Sequence, residues 1–345
     1  MTAPKVSVII PVYNAQDYLR ECLDSVVNQT VRDMEIICVN DGSTDGSGTI
    51  LEEYATRDSR FIVVSQENAG LSATRNRGLE LARGEFVSFL DSDDFFERDM
   101  LEKTLWILEN PEIDVVLFFF QKFGKDYRTP KKKCLPCVKP IYEEMWEKLN
   151  VIASMFGVVW NQVYRREFLE KYQIRFLEGC LYEDTHFSAK CAYYSRKLAV
   201  LPEVLCHYRI GSGFSTGTKR CVSLRRLPET YRRLLDDFQK CVFPEELIEY
   251  FRGRYYNSLR RVYRKAFSSE ERPKFREELL AELTEFDWKQ IGGENRFLPV
   301  KTRCFFFWLK GKPTRAVGEL LKSLWRKSWT LEMMVQREKF RKREM

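Results

Sequence analysis

Three aspartates, Asp91, Asp93 and Asp94, directly follow an apolar run in the stretch "EFVSFLDSDDFFERDM" of residues 85–100. The apolar run predicts a buried strand that ends where the aspartates begin. Clustered carboxylates repel one another, and a carboxylate without a partner is costly to bury. A hard divalent ion, Mg²⁺ or Mn²⁺, held by one or two carboxylates and completed by phosphate oxygens, would cancel this charge. The alternative is a solvated acidic loop that caps the following helix.

Three other ligand-binding loops are excluded by the residues present. A dinucleotide-binding fold requires G-x-G-x-x-G after its first strand, and a phosphate loop requires G-x-x-x-x-G-K-[ST]. The first predicted strand here ends in "PVYNAQ", which has no glycine. Asp91, Asp93 and Glu102 fit positions 1, 3 and 12 of a calcium loop, but Phe95 and Phe96 stand where that loop needs an oxygen ligand and a glycine.

The elements that must position these aspartates follow from two alternating periodicities. Runs of β-branched and other apolar residues predict strands over residues 5–13, 34–40, 60–66, 85–90 and 113–123. Apolar residues on one helical face predict helices over residues 18–26, 47–58, 71–84 and 98–110, the third ended by Gly84. Buried strands separated by helices indicate an α/β fold with a mostly parallel sheet flanked by helices. Ligands bind at the carboxyl ends of such strands, so residues 11–14, 40–43 and 91–94 are predicted to share one rim.

Length and composition set the class of protein. The chain has 345 residues, of which 44% are hydrophobic and 31% charged, which is typical of a globular protein with more than one unit. It has no run of 18 uncharged apolar residues, and its first residues lack the features of a signal peptide. Ten scattered cysteines predict reduced core residues in a cytoplasmic protein. Cys134 and Cys137 form a lone CxxC, which with two histidines in the chain does not favour a zinc site.

Five stretches together resemble motifs of the family 2 glycosyltransferases, which are inverting enzymes of the Rossmann-like GT-A fold. They are "VSVIIPVYN", "VNDGSTDGS", "ENAGLSATRNRGL", "FVSFLDSDD" and "YEDTHFSAKC", and they occur in the family's order. The resemblance covers about residues 5–215. It implies a GT-A catalytic domain that binds a nucleoside-diphosphate sugar.

The resemblance also implies roles for individual residues on the rim. Asp41 would accept a hydrogen bond from a ring N–H of the nucleotide base, and Arg75 would reach the base or the diphosphate. In "DSD", Asp91 would approach the ribose, and Asp93 together with Asp91 would bind Mn²⁺ or Mg²⁺. The residues implied to bind the nucleotide sugar are Pro11, Val12, Tyr13, Asn14, Asp41, Arg75, Asp91 and Ser92.

Glu183 and Asp184 resemble the paired acids of the family, one of which is the catalytic base. An acceptor hydroxyl needs a base within hydrogen-bond reach when it attacks the anomeric carbon. Attack from the face opposite the leaving group inverts the configuration of that carbon. We expect Asp184 to be the base and Glu183 the alternative, because adjacent helix residues point about 100° apart. A solvated acidic turn that begins a helix is the structural alternative.

Two further stretches resemble family segments near the site. "VVWNQVYRREFL" (158–169) matches a segment beside the acceptor pocket, where Trp160 and Asn161 would contact the acceptor, although Trp160 could equally belong to the core. His207, Arg209 and Ser215 match a loop that closes over the diphosphate. His207 is either a further metal ligand or a structural residue.

The predicted reaction transfers a hexosyl or N-acetylhexosaminyl group, from a donor expected to be UDP-linked, to a glycan or lipid-linked acceptor. One alternative is a sugar nucleotidyltransferase, but that class has a Gly-rich basic loop after its first strand, which "PVYNAQ" does not supply. The other alternative is a non-catalytic sugar-nucleotide-binding protein. Such a protein would be expected to have lost either the D-x-D or the acidic pair, and both are present.

We predict a catalytic domain over residues 1–217, a helical appendage over 218–290 and a basic, aromatic-rich amphipathic segment over 291–345. Residues 301–345 hold thirteen Lys and Arg against four Glu, a balance of +9, while the whole chain carries +7. The basic charge therefore lies at the C-terminal end, and without a recognition motif it does not indicate nucleic acid.

The C-terminal segment suits the inner face of the cell membrane, where anionic lipid attracts basic residues and aromatic rings settle in the interface. The aromatic residues concerned are Phe305, Phe306, Phe307, Trp308, Trp325 and Trp329. The alternative is that they pack on the catalytic domain or on the second subunit of a homo-oligomer. The predicted location is thus cytoplasmic, peripheral at the membrane if the first interpretation holds.

Overall fold

The computed structural model describes residues 3–124, 139–155, 157–180, 183–211, 220–241, 243–265, 272–295 and 298–310. The chain forms two compact units, Met1–Thr218 and Lys219–Met345, and the division falls one residue after the boundary predicted from the sequence. The residues discussed above that lie outside the described part are Cys134, Cys137, Ser215, Trp325 and Trp329.

The first unit is built on one sheet. Its described strands are β1 (Val6–Val12), β2 (Met34–Asp41), β3 (Phe61–Gln66), β4 (Phe86–Phe89), β5 (Phe95–Phe96), β6 (Ile113–Phe123), β7 (Ile141–Tyr142), β8 (Gln162–Arg165) and β9 (Lys197–Arg209). They follow the order β3-β2-β1-β4-β8-β6-β9-β5, with β7 paired to β9. The helices between them are α1 (Gln16–Val27), α2 (Ser47–Arg57), α3 (Leu71–Leu81), α4 (Met100–Leu108), α5 (Met145–Ser154), α6 (Arg166–Lys171) and α7 (Glu183–Tyr194).

The sheet is mixed rather than mostly parallel. β1 pairs in parallel with β2 and β4, and β2 pairs in parallel with β3, as the sequence predicted. β8 lies antiparallel between β4 and β6, and β5 and β7 lie antiparallel to β9. The alternating pattern of the first 123 residues could not reveal β8, because this strand is four residues long and its partners lie far away in the sequence.

The predicted rim follows the ends of β1, β2 and β4, which lie in the half of the sheet that was predicted correctly. All residues of β1 and β2 are buried, which explains their continuous apolar character. The register pairs Val12 with Asn40 and Ile9 with Phe89, so β1, β2 and β4 end close together. The buried face of α1 consists of Leu19, Cys22, Leu23 and Val26, which match the predicted apolar stripe.

Gly84 has a different role from the one predicted. Helix α3 ends at Leu81, so Gly84 does not end it. Its backbone N–H donates to Oγ of Ser7 at 2.9 Å, and a Cβ added at this position would lie 2.5 Å from the backbone nitrogen of Ser7. Glycine is therefore needed for the close approach of the chain to β1.

The described part of the second unit is helical. It comprises α8 (Arg220–Lys240), α9 (Glu245–Lys265), α10 (Arg272–Glu282), α11 (Glu285–Lys289), a π-helix (Gln290–Glu294) and α12 (Val300–Leu309). Residues of α9, α10, the π-helix and α12 share one apolar cluster, which includes Tyr256, Leu279, Ile291 and Phe306. Ile291 and Phe306, which were predicted to belong to the C-terminal segment, therefore share a core with α9.

The aromatic residues of α12 correct part of the membrane interpretation. Phe306 is completely buried and Phe307 is 3% exposed, so these two rings pack inside the second unit. Phe305 packs partly buried against the same cluster. None of the helices in the described part of the chain has the length and apolarity that a membrane span requires.

Candidate active site

Arg75 lies at the centre of a cluster of carboxylates. Its side chain is 1% exposed, and its Nη1 donates to Oε1 of Glu183 at 2.7 Å and to Oδ1 of Asp184 at 2.8 Å. Its Nη2 donates to Oδ1 of Asp91 at 2.7 Å. One guanidinium on α3 thus joins the first acid of the D-x-D, which follows β4, to the acid pair at the start of α7.

The charges of this cluster do not balance. Arg75 carries one positive charge, and the three carboxylates carry up to three negative charges. Burial lowers the pKa of Arg75, but the charges of Asp91, Asp184 and Glu183 outweigh burial and raise it. Burial raises the pKa of Asp184 well above its ordinary value, Arg75 opposes this rise, and Glu183 and Asp91 add to it. An ionised carboxylate with a raised pKa is a stronger proton acceptor, as general-base catalysis requires.

Glu183 and Asp184 converge on the same atom. Both lie in the first turn of α7 and both accept a hydrogen bond from Nη1 of Arg75. The expectation that adjacent helix residues point apart is therefore wrong for their carboxylates, because flexible side chains at a helix end can bend toward a shared cation. The side chains are 11% and 19% exposed, so both stay within reach of a ligand. Negative charge is also favourable at a helix N-terminus.

The D-x-D loop concentrates further negative charge. Asp94 is 1% exposed, and its Oδ1 accepts a hydrogen bond from the backbone N–H of Arg209 at 2.7 Å. Burial, followed by the charges of Asp93 and Asp91, raises the pKa of Asp94 to about 9. Within the described ranges, no group of three or more His, Cys, Asp and Glu side chains could hold a metal by itself. Carboxylate oxygens such as those of Asp91 and Asp93 are ligands that Mg²⁺ and Mn²⁺ accept, and a metal at this loop stays a prediction.

Asp41 anchors the loop that precedes α3. Its Oδ1 accepts hydrogen bonds from Nε2 of Gln66 at 2.8 Å and from the N–H of Ala69 at 2.9 Å. Its Oδ2 accepts one from the N–H of Gly70 at 2.9 Å. Gly70 has a φ of +87°, which favours glycine. Oδ2 accepts one hydrogen bond and Oδ1 accepts two, so a further hydrogen bond to Asp41 would go mainly to Oδ2. The contact of Asp41 with a nucleotide base stays a prediction.

The turn after β1 presents one exposed side chain among its four predicted residues. Pro11 and Val12 are buried within the strand, so their side chains are not open to a ligand. Asn14 adopts a φ of +49°, and its Oδ1 accepts a hydrogen bond from the N–H of Thr44 at 2.7 Å. Tyr13 is 46% exposed, which makes it the residue of this turn that is most open to a ligand.

Trp160 and Asn161 lie inside the protein. Trp160 is 3% exposed, stacks on Tyr208 with ring centroids 5.1 Å apart and meets the ring of Phe120 at 4.6 Å. Asn161 is completely buried, and its Nδ2 donates to the carbonyl oxygen of Phe118 at 3.0 Å. The packing agrees with the core alternative and contradicts an open acceptor-stacking face at Trp160.

His207 and Arg209 support the D-x-D loop from β9. Nε2 of His207 lies 2.6 Å from Oε1 of Glu97, and the imidazole stacks on Phe95 with ring centroids 4.4 Å apart. This packing agrees with the structural alternative for His207. Arg209 donates from Nε to the carbonyl oxygen of Asp93 at 2.9 Å and also pairs with Glu21. Ser215, the third residue predicted for the diphosphate loop, is outside the described residues.

Two residues near the acids were not singled out from the sequence. Asn76, next to Arg75, bonds to Phe176, and Phe176 packs against α7. The sequence signal for Asn76 is its place as a polar residue directly after Arg75 in the motif "ENAGLSATRNRGL". Phe176 gave no signal, because a lone phenylalanine between predicted elements is ordinary.

Comparison with known proteins agrees with these motifs. The sequence pattern of glycosyl transferase family 2 matches residues 7–173. EpsH of Bacillus subtilis (strain 168) is 39% identical over 213 residues, which cover 61% of this chain and 62% of EpsH. The glycosyltransferase GlyA of Streptococcus pneumoniae serotype 4 is 37% identical over 221 residues, which cover 61% of this chain and 31% of GlyA. This chain therefore spans less than two thirds of the length of either relative.

The fold is shared with solved structures. A fragment of S. aureus TarS in complex with UDP-GlcNAc superimposes with a TM-score of 0.68 at 21% identity, over 94% of this chain and 92% of the fragment. At this identity the likeness concerns the fold. It confirms the predicted GT-A fold with a helical C-terminal region.

Proposed function

We propose that the protein is a metal-dependent inverting glycosyltransferase, because residues 7–173 of this chain match the sequence pattern of glycosyl transferase family 2. It transfers a sugar from a nucleoside-diphosphate sugar to a hydroxyl group of a glycan or lipid-linked acceptor. The observation that carries this proposal is the pairing of Arg75 with Asp91, Glu183 and Asp184. It brings the acid proposed for the donor side and the acids proposed for the acceptor side to one buried cation.

The acid pair supplies the base in this proposal. Asp184, with Glu183 as the alternative, accepts the proton of the acceptor hydroxyl while its oxygen attacks the anomeric carbon. The bond to the nucleoside diphosphate breaks on the opposite face, so the configuration inverts. The raised pKa of Asp184 supports this role, because a general base works best when its pKa is near the operating pH.

The D-x-D loop binds the donor in this proposal. Asp91 and Asp93 would hold Mn²⁺ or Mg²⁺ together with the diphosphate. Such an ion, when bound, offsets the negative charge that grows on the departing diphosphate. Burial, followed by the charges of Asp93 and Asp91, raises the pKa of Asp94. A cation at this loop would offset the crowding of these carboxylates. Arg209 keeps the loop in place through the carbonyl oxygen of Asp93.

We propose a UDP-linked hexose or N-acetylhexosamine as the donor. Tyr13 and the free capacity of Oδ2 in Asp41 are suited to a base that has a ring N–H and a flat face. The UDP-GlcNAc complex of the structurally similar TarS fragment agrees with this donor class. The acceptor would be presented at the inner face of the cell membrane if residues beyond 310 bind anionic lipid.

Hydrolysis and transfer assays with a panel of nucleotide sugars test the proposal. The purified chain with Mn²⁺ should release UDP from one or more UDP-sugars, and release from GDP- and CDP-sugars should be slower. The control is Asp184→Asn. This variant should still bind UDP in calorimetry, but it should release UDP from every donor more slowly than the wild type does. A wild-type chain that binds no nucleoside diphosphate and cleaves no nucleotide sugar would contradict the proposed function.

A further inference from the structure

Asn76 ties helix α3 to the chain segment that precedes α7. Its Oδ1 accepts a hydrogen bond from the N–H of Phe176 at 2.8 Å, and its Nδ2 donates to the carbonyl oxygen of Phe176 at 3.0 Å. The same Nδ2 donates to Oε1 of Glu178 at 2.9 Å. The side-chain amide thus pairs with both backbone groups of one residue, as a neighbouring strand would. Asn76 is 9% exposed, and buried hydrogen bonds of this kind are costly to break.

Phe176 transmits this link to the helix that carries the acids. Its ring is 3% exposed and stacks on Phe187 of α7, with centroids 4.2 Å apart and planes inclined by 13°. It also meets the ring of Phe89 of β4 edge to face at 5.3 Å. Phe187 is four residues after Glu183, and residues four apart share one face of a helix. Phe176 therefore packs on the face of α7 that begins with Glu183.

Arg75 and Asn76 hold the acids from two directions. Arg75 binds the carboxylates of Glu183 and Asp184, and its guanidinium carbon lies 5.3 Å from the ring centre of Phe176. The bonds of Arg75 fix where the carboxylates can point, but they do not fix the helix axis. The stacking of Phe176 on Phe187 helps to hold the helix, together with the contacts of Phe187 with Phe89 and Tyr164. The amide of Asn76 in turn holds the backbone of Phe176.

We propose that Asn76 is a positioning residue for the catalytic acids, and that it acts through Phe176 on the first turns of α7. This inference rests on the proposed function, because it assumes that Asp184 or Glu183 is the base. A base must lie within hydrogen-bond reach of the proton it accepts, and a displacement of about 1 Å can cost about 100-fold in rate. Loosening the link between Asn76 and Phe176 should therefore slow the chemical step without weakening nucleotide binding.

The first experiment compares Asn76→Asp with Glu178→Ala. The aspartate has nearly the same shape, but it replaces the donor with an oxygen that faces the carbonyl oxygen of Phe176 and the carboxylate of Glu178. Glu178→Ala is the matched control, since it removes one hydrogen bond of Asn76 and keeps the two bonds to Phe176. We expect Asn76→Asp to lower kcat for transfer by about 10- to 100-fold, with Kd for UDP changed by less than about twofold. Glu178→Ala should keep kcat within about threefold of wild type.

The second experiment asks whether Asn76 acts through the base. Asn76→Asp is combined with Asp184→Asn, and the residual rates are compared. If Asn76 positions Asp184, the added substitution lowers the residual rate by less than about threefold, because the positioned group is already absent. If Asn76→Asp lowers the rate by the same factor in the Asp184→Asn variant as in the wild type, the proposal is overturned. If Asn76→Asp does not fold, Phe176→Leu replaces it, because it keeps the backbone link and removes the stacking on Phe187.

Hydrogen exchange measures the positioning without any activity. In the protein without added nucleotide, Asn76→Asp should speed exchange at the backbone amides of α7 at least fivefold and leave α1 unchanged. Unchanged exchange in α7 would overturn the inference. If the wild-type chain cleaves no nucleotide sugar, the proposed function fails, while the exchange result still decides whether Asn76 holds α7.

Discussion

Nη1 of Arg75 lies 2.8 Å from Oδ1 of Asp184, which places a buried cation directly on the residue proposed as the base. The other terminal nitrogen of the same guanidinium lies 2.7 Å from Asp91 of the D-x-D. A guanidinium presents its N–H donors in a rigid planar fork. A change at one carboxylate therefore alters the hydrogen bonds that Arg75 offers to the other two. Asp91, proposed for the donor side, and Asp184, the proposed base, are therefore linked electrostatically through Arg75.

The first prediction concerns the stability of this cluster. Arg75→Ala removes the cation and leaves three partly or fully buried carboxylates without it. Removing one partner of a buried ion pair costs about 3–5 kcal/mol. We therefore expect the free energy of unfolding, measured with urea at pH 7, to fall by that amount. The control is Arg77→Ala, which removes a pair between Arg77 and Glu80 whose side chains are 45% and 58% exposed. That pair should contribute less than about 1 kcal/mol. Equal losses in the two variants would show that Arg75 does not stabilise the cluster.

The second prediction separates the two acids. Asp184→Asn should lower kcat by about 10²- to 10⁴-fold, the range that general-base catalysis supplies, while Kd for UDP changes little. Glu183→Gln should lower kcat less, because the proposed base stays in place. Steady-state kinetics and calorimetry with UDP measure both quantities. The reverse order of effects on kcat would make Glu183 the base, and a large loss of UDP affinity in Asp184→Asn would assign Asp184 to donor binding.

The third prediction concerns the metal. Addition of Mn²⁺ should tighten the binding of UDP to the wild-type chain, and Asp93→Ala should remove this response, because the ion needs carboxylate oxygens from the D-x-D. Asp99→Ala is the matched control, since Asp99 is a nearby half-exposed acid that pairs with Lys103. Calorimetry with and without Mn²⁺ measures the response. A chain treated with EDTA that keeps its full transfer rate would rule out a metal role for Asp91 and Asp93.

The parts of the fold that the sequence predicted are those encoded by local pattern. The β1, β2, β3 and β4 strands and the helices between them have continuous or one-sided apolar patterns, and they formed within a few residues of the predicted bounds. The position of β8 depends on pairing with β4 and β6, and no local pattern carries that information.

For the candidate site, the sequence indicated residue types but not the contacts between them. The motifs identified Asp91, Arg75, Glu183 and Asp184 as candidates, but their ion pairs join residues that the sequence separates widely. The convergence of Glu183 and Asp184 on one nitrogen depends on side-chain rotamers around a buried charge. Helical geometry alone predicted that the two acids would diverge.

The fourth prediction concerns pH and a carboxylate remote from the site. Glu35 is buried and accepts hydrogen bonds from Oγ of Ser7 at 2.6 Å and from Nη2 of Arg83 at 2.9 Å. Burial raises the pKa of Glu35, but the bonds from Ser7 and Arg83 outweigh burial and lower it below the ordinary value of 4.5. A lowered pKa in the folded state stabilises the protein above about pH 4.5, and this contribution is lost as the pH falls through the folded pKa.

Glu35→Gln should therefore be less stable than the wild type at pH 7, by about 1–3 kcal/mol. The difference should shrink as the pH falls below about 4.5. Urea unfolding at a series of pH values measures it, with Glu80→Gln as an exposed control that should show little difference at any pH. A difference that stays constant down to pH 3 would mean that packing, and not the charge of Glu35, is responsible.

The last prediction concerns the C-terminal residues and the membrane. Because α12 contributes Phe306 to the core of the second unit, a chain stopped at residue 300 would lose core packing, and a chain stopped at Lys310 is the cleaner variant. Residues 311–345 hold ten Lys and Arg against four Glu, and each basic residue near an anionic surface contributes about 1 kcal/mol.

At low salt the full chain should float with vesicles that contain phosphatidylglycerol. With pure phosphatidylcholine vesicles it should not float and should stay in the bottom fraction. The chain stopped at Lys310 should float with neither kind, while its melting temperature and its affinity for UDP match those of the full chain. Raising the salt to about 0.5 M should release the full chain, because the Debye length then falls well below 10 Å. If the full and shortened chains float to the same extent, residues 311–345 do not bind the membrane. A shortened chain that no longer folds would instead assign these residues to packing within the protein.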